Sequence, residues 1–456
     1  MAEANTFDPL FFSNLHWSPG GPLDQWIGAA PGQHDYAAIY QLTLVVDKVD
    51  ALDGLEQLVD KHKQQPFILV RLAEIYEILQ HVYGARRLVD CAASFIKIAD
   101  PIFERWASDL RRKSKIDKER QVEMYKNPNM QNVMYASAPG VPSLDIGKEP
   151  DDISSTIRQK WKDLSLTMSN EEITAAYARL LCIETNEIEG VFCLGGQSLI
   201  RLVRGGFFIG AIQHVDPNSN IKNKEIIIQI LNDVQAALCE ITKWANNKNT
   251  KFTANFIMSI HARVISSDRI RKHFDNITKI SYRVLVPINE WRHKTVYARH
   301  TNGCIMFYPF DKVPVSMEEY ISYMQPIFDD LKNHVKISKP YILAAWLHHA
   351  FVSIHPFEDG NGRTTRLICS IPLVFADLPP ICVLLKNKGE YIALLQVADK
   401  TGNISPLAEF FAKESLLAIE TIKNAHITSL DAWEDDAANF RTLSTPFASY
   451  MDTSFT

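Results

Sequence analysis

Twelve consecutive residues, His355-Pro356-Phe357-Glu358-Asp359-Gly360-Asn361-Gly362-Arg363-Thr364-Thr365-Arg366, combine a proton acceptor, a hard oxygen ligand and a cradle for anions. An imidazole with an ordinary pKa of about 6.5, as at His355, takes a proton near neutral pH. The Asp359 carboxylate is the oxygen donor that Mg2+ uses when it bridges two phosphates. Gly360 and Gly362 let backbone approach a ligand closely, and the amides there join the positive end of the helix that follows. Arg363 and Arg366, three residues apart, share a face of that helix and offer guanidinium forks to phosphate oxygens. Arginines in a first helical turn oppose the helix dipole, so stability alone would not select them. An anionic partner accounts for them.

The elements that must position this loop are legible on both sides. Ser338 can cap and Pro340 can open a helix whose positions Leu343, Ala344, Leu347, Phe351 and Ile354 predict one buried face. Pro356 pushes His355 out of helical geometry. Leu367, Ile368 and Ile371 then resume a helical stripe, so the layout is helix, polar glycine-rich loop, helix. His348 and His349 raise the alternative of a zinc or iron hydrolase. Neighbouring residues on a helix point about 100° apart, however, and do not converge as an i, i+4 pair does. His348 is expected to be a core histidine bonded to backbone.

The loop resembles the motif of the Fic family of nucleotidyl transferases, H-P-F-x-[D/E]-G-N-G-R-x-x-R, at every fixed position. A chance match at roughly one in twenty per position is negligible. The resemblance extends over about residues 170–425. It implies transfer of AMP from ATP to a Ser, Thr or Tyr hydroxyl of a target protein, with release of pyrophosphate. In that scheme His355 deprotonates the hydroxyl and Asp359 holds Mg2+ against the α- and β-phosphates. Gly360, Asn361 and Gly362 form the anion hole, and Arg363 and Arg366 hold phosphates.

Further parts follow from the same resemblance. Thr185-Asn186-Glu187-Ile188-Glu189-Gly190 is similar to the family's inhibitory helix pattern, [S/T]-x-x-x-E-[G/N]. There Glu189 pairs with Arg366, blocks the γ-phosphate and leaves the resting enzyme nearly inactive; in some members the same glutamate supports removal of AMP. The run 281–286, with Tyr282, Val284 and Val286, is similar to the flap that docks the target by strand addition. Tyr391 and Asp399 stand where the family places residues around the adenine, with Asp399 departing from the usual Asn. Dimerisation through the core is a further implication.

Over the 456 residues, Lys+Arg 48 against Asp+Glu 53 gives a charge of −5, so no global basic field draws the chain to nucleic acid or anionic lipid. Seven cysteines without a C-x-x-C pair argue against zinc ribbons and a disulfide framework. The first thirty residues lack a basic run leading into an apolar one, and no 18-residue apolar run occurs, so a cytoplasmic or nuclear protein without a membrane partner is expected.

The organisation expected is an irregular arm (1–35), a helical N-terminal domain (36–110), a linker (111–165), a Fic domain (166–425) with the inhibitory helix at 170–190, and a tail (426–456). Residues 85–101 are similar to a tetratricopeptide helix pair, but no period of about 34 residues repeats, which favours a plain helical domain. Ser169 and Glu172 predict a capping box before the helix that ends in Glu189. The fold class is all-α, with one short β-hairpin. Two other readings remain: a Fic-type transferase using another donor, and an idle Fic scaffold. The intact motif weighs against the second.

Overall fold

The computed structural model describes residues 48–96, 101–128, 133–136, 153–274, 281–300, 303–334 and 339–427. The expected arm, nearly all of the tail and Ser338 lie outside them. The described residues contain five short strands, β1 (Val133–Tyr135), β2 (Ile270–Phe274), β3 (Ser281–Leu285), β4 (Tyr297–His300) and β5 (Gly303–Met306), in a predominantly helical chain. Two compact units divide the protein: the chain up to Asn127 with Ile270–Val286, and Pro128–Arg269 with the chain from Pro287. No helix among the described residues is long and apolar enough to cross a membrane.

The first unit contains α1 (Leu52–Lys61), α2 (Pro66–Ile78), α3 (Val82–Phe95) and α4 (Pro101–Lys126). Pro66 opens α2 at a position where its missing N–H is no loss. The helices bury two apolar clusters, one around Leu55, Leu72 and Leu79, the other around Val70, Val89 and Phe103. The charged run expected to begin a linker instead continues α4. Its Lys, Arg and Glu residues are good helix formers, and Asp109 pairs with Arg112 at 2.6 Å and Lys113 at 2.9 Å, on the next turn. Lys113 also reaches Glu77 at 2.8 Å, tying α4 to α2. The antiparallel β2–β3 hairpin belongs to this unit: Leu285 is buried in the first cluster, and its N–H donates to the Leu79 carbonyl at 3.0 Å.

The second unit contains α5 (Ile153–Leu164), α6 (Asn170–Ile188), α7 (Gly196–Gly205), α8 (Lys224–Asn246), α9 (Ala254–Val264), α10 (Val313–Lys332), α11 (Pro340–Ile354), α12 (Asn361–Ile368), α13 (Ile371–Phe375), α14 (Lys388–Thr401) and α15 (Ser405–Ile427). Helix α5 lies inside the expected linker. The Ser169–Glu172 capping box starts α6, each side chain satisfying the other's backbone N–H. α11 is buried on nearly all sides, not on one face, because α10, α12, α13 and α15 all pack against it. Its N-cap is Lys339, without a side-chain cap bond. A three-stranded sheet, in the order β1-β5-β4, completes the unit.

Candidate active site

α11 ends at His355, whose φ of 52° and ψ of 63° place it in the left-handed region. Pro356 thus expels His355 from the helix as expected, but into the left-handed region, which residues other than glycine hold uncommonly, histidine more often than most. Arg292 holds it there. This guanidinium, 1% exposed, donates to the His355 carbonyl at 2.6 Å, the Lys294 carbonyl at 2.7 Å, the Ile354 carbonyl at 3.3 Å and the Tyr308 carbonyl. The Arg292 N–H also donates to the Pro356 carbonyl at 2.8 Å. Lys294 continues the grip, meeting the Glu358 carboxylate at 3.1 Å. Above the turn, the Phe307 ring stacks on the imidazole at 3.7 Å.

Burial, followed by the Arg292 charge, depresses the His355 pKa to about 3, against smaller opposing effects of the Val352 carbonyl and Asp359. The imidazole is therefore neutral. Its Nδ1–H donates to the Val352 carbonyl at 3.2 Å, leaving Nε2 with the lone pair.

The loop's other side rests on α9. His261 lies parallel to the Phe357 ring at 3.6 Å, and its Nε2–H donates to the Asp359 carbonyl at 2.9 Å. Burial lowers this imidazole also to about 3. The Asn361 amide spans the turn, accepting from Phe357 N at 2.9 Å and donating to Phe357 O at 2.8 Å. Its side chain therefore shapes the loop, and any anion hole is made of backbone N–H groups. Gly360 is obligatory: its φ is +77°, and a β-carbon would meet Ile265 Cγ2 at 2.7 Å.

Both arginines of α12 are buried and face α6. Arg363 donates to Asn186 Oδ1 at 3.2 Å and lies 3.5 Å from Asp268. Arg366 donates through Nε to Thr185 Oγ1 at 2.7 Å, and through Nη2 to the Thr185 carbonyl at 3.0 Å and to Glu189 Oε1 at 2.6 Å. The last is a short charge-assisted contact. A β-carbon on Gly362 would lie 2.0 Å from the same Glu189 oxygen. A carboxylate thus stands against the loop backbone where close approach of an anion was expected.

Asp359 is half-buried, and its Oδ1 accepts from Gly360 N at 2.5 Å. The described residues hold no cluster of three His, Cys, Asp or Glu side chains suited to a metal. One carboxylate beside a phosphate cradle fits Mg2+, which completes its shell with water and substrate phosphate, and does not fit zinc or iron.

The remaining expected residues are distributed differently. Tyr391 is buried beneath Arg366, its oxygen accepting from Nη1 at 3.4 Å while its O–H donates to His348 Nε2 at 2.7 Å. His348 is therefore a core histidine, bonded to a tyrosine and not to backbone. Asp399 accepts from His349 Nε2 at 2.8 Å. Tyr282 and Val284 lie on β3, and Val286 just after it, all in the first unit. The hairpin that adjoins His355 is β4–β5, which leads directly into Phe307. Arg292 and His261 carry no local sequence signal; each acts on the loop from far away in the chain.

The Fic/DOC family model matches residues 251–373 of the chain, from α9 through the loop into α13. Among curated proteins, the chain is 34% identical to Protein adenylyltransferase fic-1 of Caenorhabditis elegans over 119 residues, 26% of this chain and 23% of that protein. It is 30% identical to Protein adenylyltransferase Fic of Aedes aegypti over 198 residues, 43% of this chain and 34% of that one. These matches span about a quarter to a third of the relatives' own lengths. The solved structure of Fic-1 (aa134 - 508) from C. elegans matches at 16% identity over 86% of this chain and 96% of that one, with a TM-score of 0.42.

Proposed function

We propose that the protein transfers AMP from ATP, with Mg2+, to a Ser, Thr or Tyr hydroxyl of a target protein and releases pyrophosphate, and that Glu189 restrains it at rest. The observation that carries the proposal is the Glu189 carboxylate seated 2.6 Å from Arg366, in van der Waals conflict with any β-carbon at Gly362. An anion built into the chain's own phosphate cradle competes directly with the nucleotide.

The chemistry assigned to each group follows from its state. The acceptor hydroxyl gives its proton to His355 Nε2 as its oxygen attacks the α-phosphorus. The bond from that phosphorus to the bridging oxygen breaks, and pyrophosphate leaves with the bond pair. Mg2+ held by Asp359 would supply positive charge to the phosphates. The α12 N-terminus and Arg363 hold the nucleotide, and Arg366 takes the phosphate once Glu189 withdraws. Removal of AMP, which would use Glu189, belongs to the same proposal and separates from transfer on substitution of that residue.

The test is labelling from α-labelled ATP with Mg2+ by the unaltered protein, Glu189→Gly, and Glu189→Gly with His355→Ala. Strong labelling by the single variant alone is expected. A folded but silent single variant would move a different donor, or a scaffold role, ahead.

A further inference from the structure

β5 runs directly into Phe307, which stacks on His355 at 3.7 Å. An extended segment laid along β5 would be guided to the base, held by ladder hydrogen bonds regardless of its side chains. One side of β5 is occupied by β4. The other is occupied by β1, paired in parallel as Val133↔Cys304, Met134↔Ile305 and Tyr135↔Met306, with the Ala136 N–H donating to the Met306 carbonyl at 2.8 Å.

Three features distinguish β1 from the sheet it joins. It is three residues long, and Met134 and Tyr135 are 40% and 46% exposed, so it gains little from apolar burial. The residues it pairs with, Cys304, Ile305 and Met306, are by contrast buried. β4 and β5 form a local hairpin, whereas β1 comes from far upstream and adds in parallel, the less stable pairing.

We propose that β1 is a resident strand on the acceptor-docking edge of β5, which an extended segment of the target protein must displace to reach His355. This rests on the transferase reading above. It makes residues 133–136 a second brake, independent of Glu189: the glutamate restrains the nucleotide, and the strand restrains the acceptor. Because the edge offers backbone donors and acceptors, the partner is an unstructured or loosely held protein segment, selected for its ability to extend.

The test uses the chain's own residues 131–138 as a fluorescein-labelled peptide, with binding followed by anisotropy on the full-length protein. Ala136→Pro removes the donor to Met306 and disfavours the resident strand. That variant is expected to bind the peptide at least about tenfold more tightly than the parent. Replacing residues 133–136 with Gly-Ser-Gly-Ser gives the same result by another route, covering a fold defect specific to the proline. Met134→Lys, which changes an exposed side chain and keeps every backbone donor, behaves as the parent. Equal affinity for the parent and both strand variants, or binding to none, would overturn the proposal. Peptide binding needs no catalysis. A negative result here therefore leaves AMP transfer standing, while a silent Glu189→Gly protein in the labelling test identifies failure of the transferase reading.

Discussion

Glu189 and Gly362 are fitted to one another: the carboxylate oxygen that meets Arg366 at 2.6 Å lies 2.0 Å from where a β-carbon on residue 362 would be. Bare backbone at Gly362 lets the carboxylate descend into the cradle. In the proposed restraint, charge and volume would therefore both contribute.

Two substitutions separate those contributions. Glu189→Gly removes both and should raise ATP affinity by about tenfold or more, the scale of a lost competing charge-assisted bond. Glu189→Gln keeps the volume and removes the charge, and should give a smaller gain. Calorimetric titration of ATP into each protein checks the order. Equal gains would assign the restraint to charge alone.

Arg292 fixes the backbone around His355, the proposed base. Arg292→Gln frees four carbonyls and relaxes the left-handed His355, so in the Glu189→Gly background kcat should fall by about a hundredfold, the scale of misplacing a catalytic group, with KM for ATP little changed. The pH profile supplies a readout that a fold defect would not. With His355 held to about 3 in the nucleotide-free protein, kcat/KM of the Glu189→Gly protein should lose no activity to protonation of this imidazole between pH 8 and 5. Removing the guanidinium raises that pKa and moves the acid limb upward. A variant that loses kcat with an unmoved limb would confine Arg292 to packing.

Gly360→Ala tests the loop's backbone. The methyl would have to share space with Ile265 Cγ2 at 2.7 Å while the residue keeps a φ of +77°. Left-handed strain of about 1–2 kcal/mol plus the steric conflict should lower stability by roughly 2–4 kcal/mol, measured from the urea midpoint. A loss below about 0.5 kcal/mol, the range of a neutral surface change, would refute this geometry.

What could be read in the sequence was contiguous. The twelve-residue loop, the Ser169–Glu172 box and the Thr185–Glu189 spacing each state their chemistry within a few residues. Arg292 and His261 do not, because their partners are carbonyls and rings supplied by folding from distant segments. The charged run in α4 reads as a linker because polarity alone does not separate a linker from a solvated helix, and the Asp109 pairs decide only once the turn exists. β-branched and aromatic content drew attention to β3, yet Leu285 anchors that hairpin in the first unit's core. β4 and β5 are only four residues each, β4 carries Arg299 and His300 and β5 opens on a glycine, so neither reads strongly as a strand although β5 leads toward His355.

The buried imidazoles of His261 and His348 also make an acid-stability prediction with a definite sign. Burial lowers the first to about 3 and the second well below its ordinary value, and both are fully enclosed. The unfolded chain binds their protons near pH 6.5, so their contribution is whole above that pH and declines as pH falls toward the folded values. At pH 5.5 each should subtract about 1.4 kcal/mol, with a limiting slope of about 1.4 kcal/mol per pH unit per histidine below that. Ordinary carboxylates titrate at about 4 and cannot produce a loss beginning at 6.5. Urea unfolding from pH 7.5 to 5.0 should therefore show stability falling well before the carboxylate range. His348→Gln, which retains an acceptor for the Tyr391 O–H, should flatten the slope by one proton's worth. A parent protein whose stability is flat down to pH 5, or a His348→Gln variant with the parental slope, would show that His348 is not held neutral beneath Arg366.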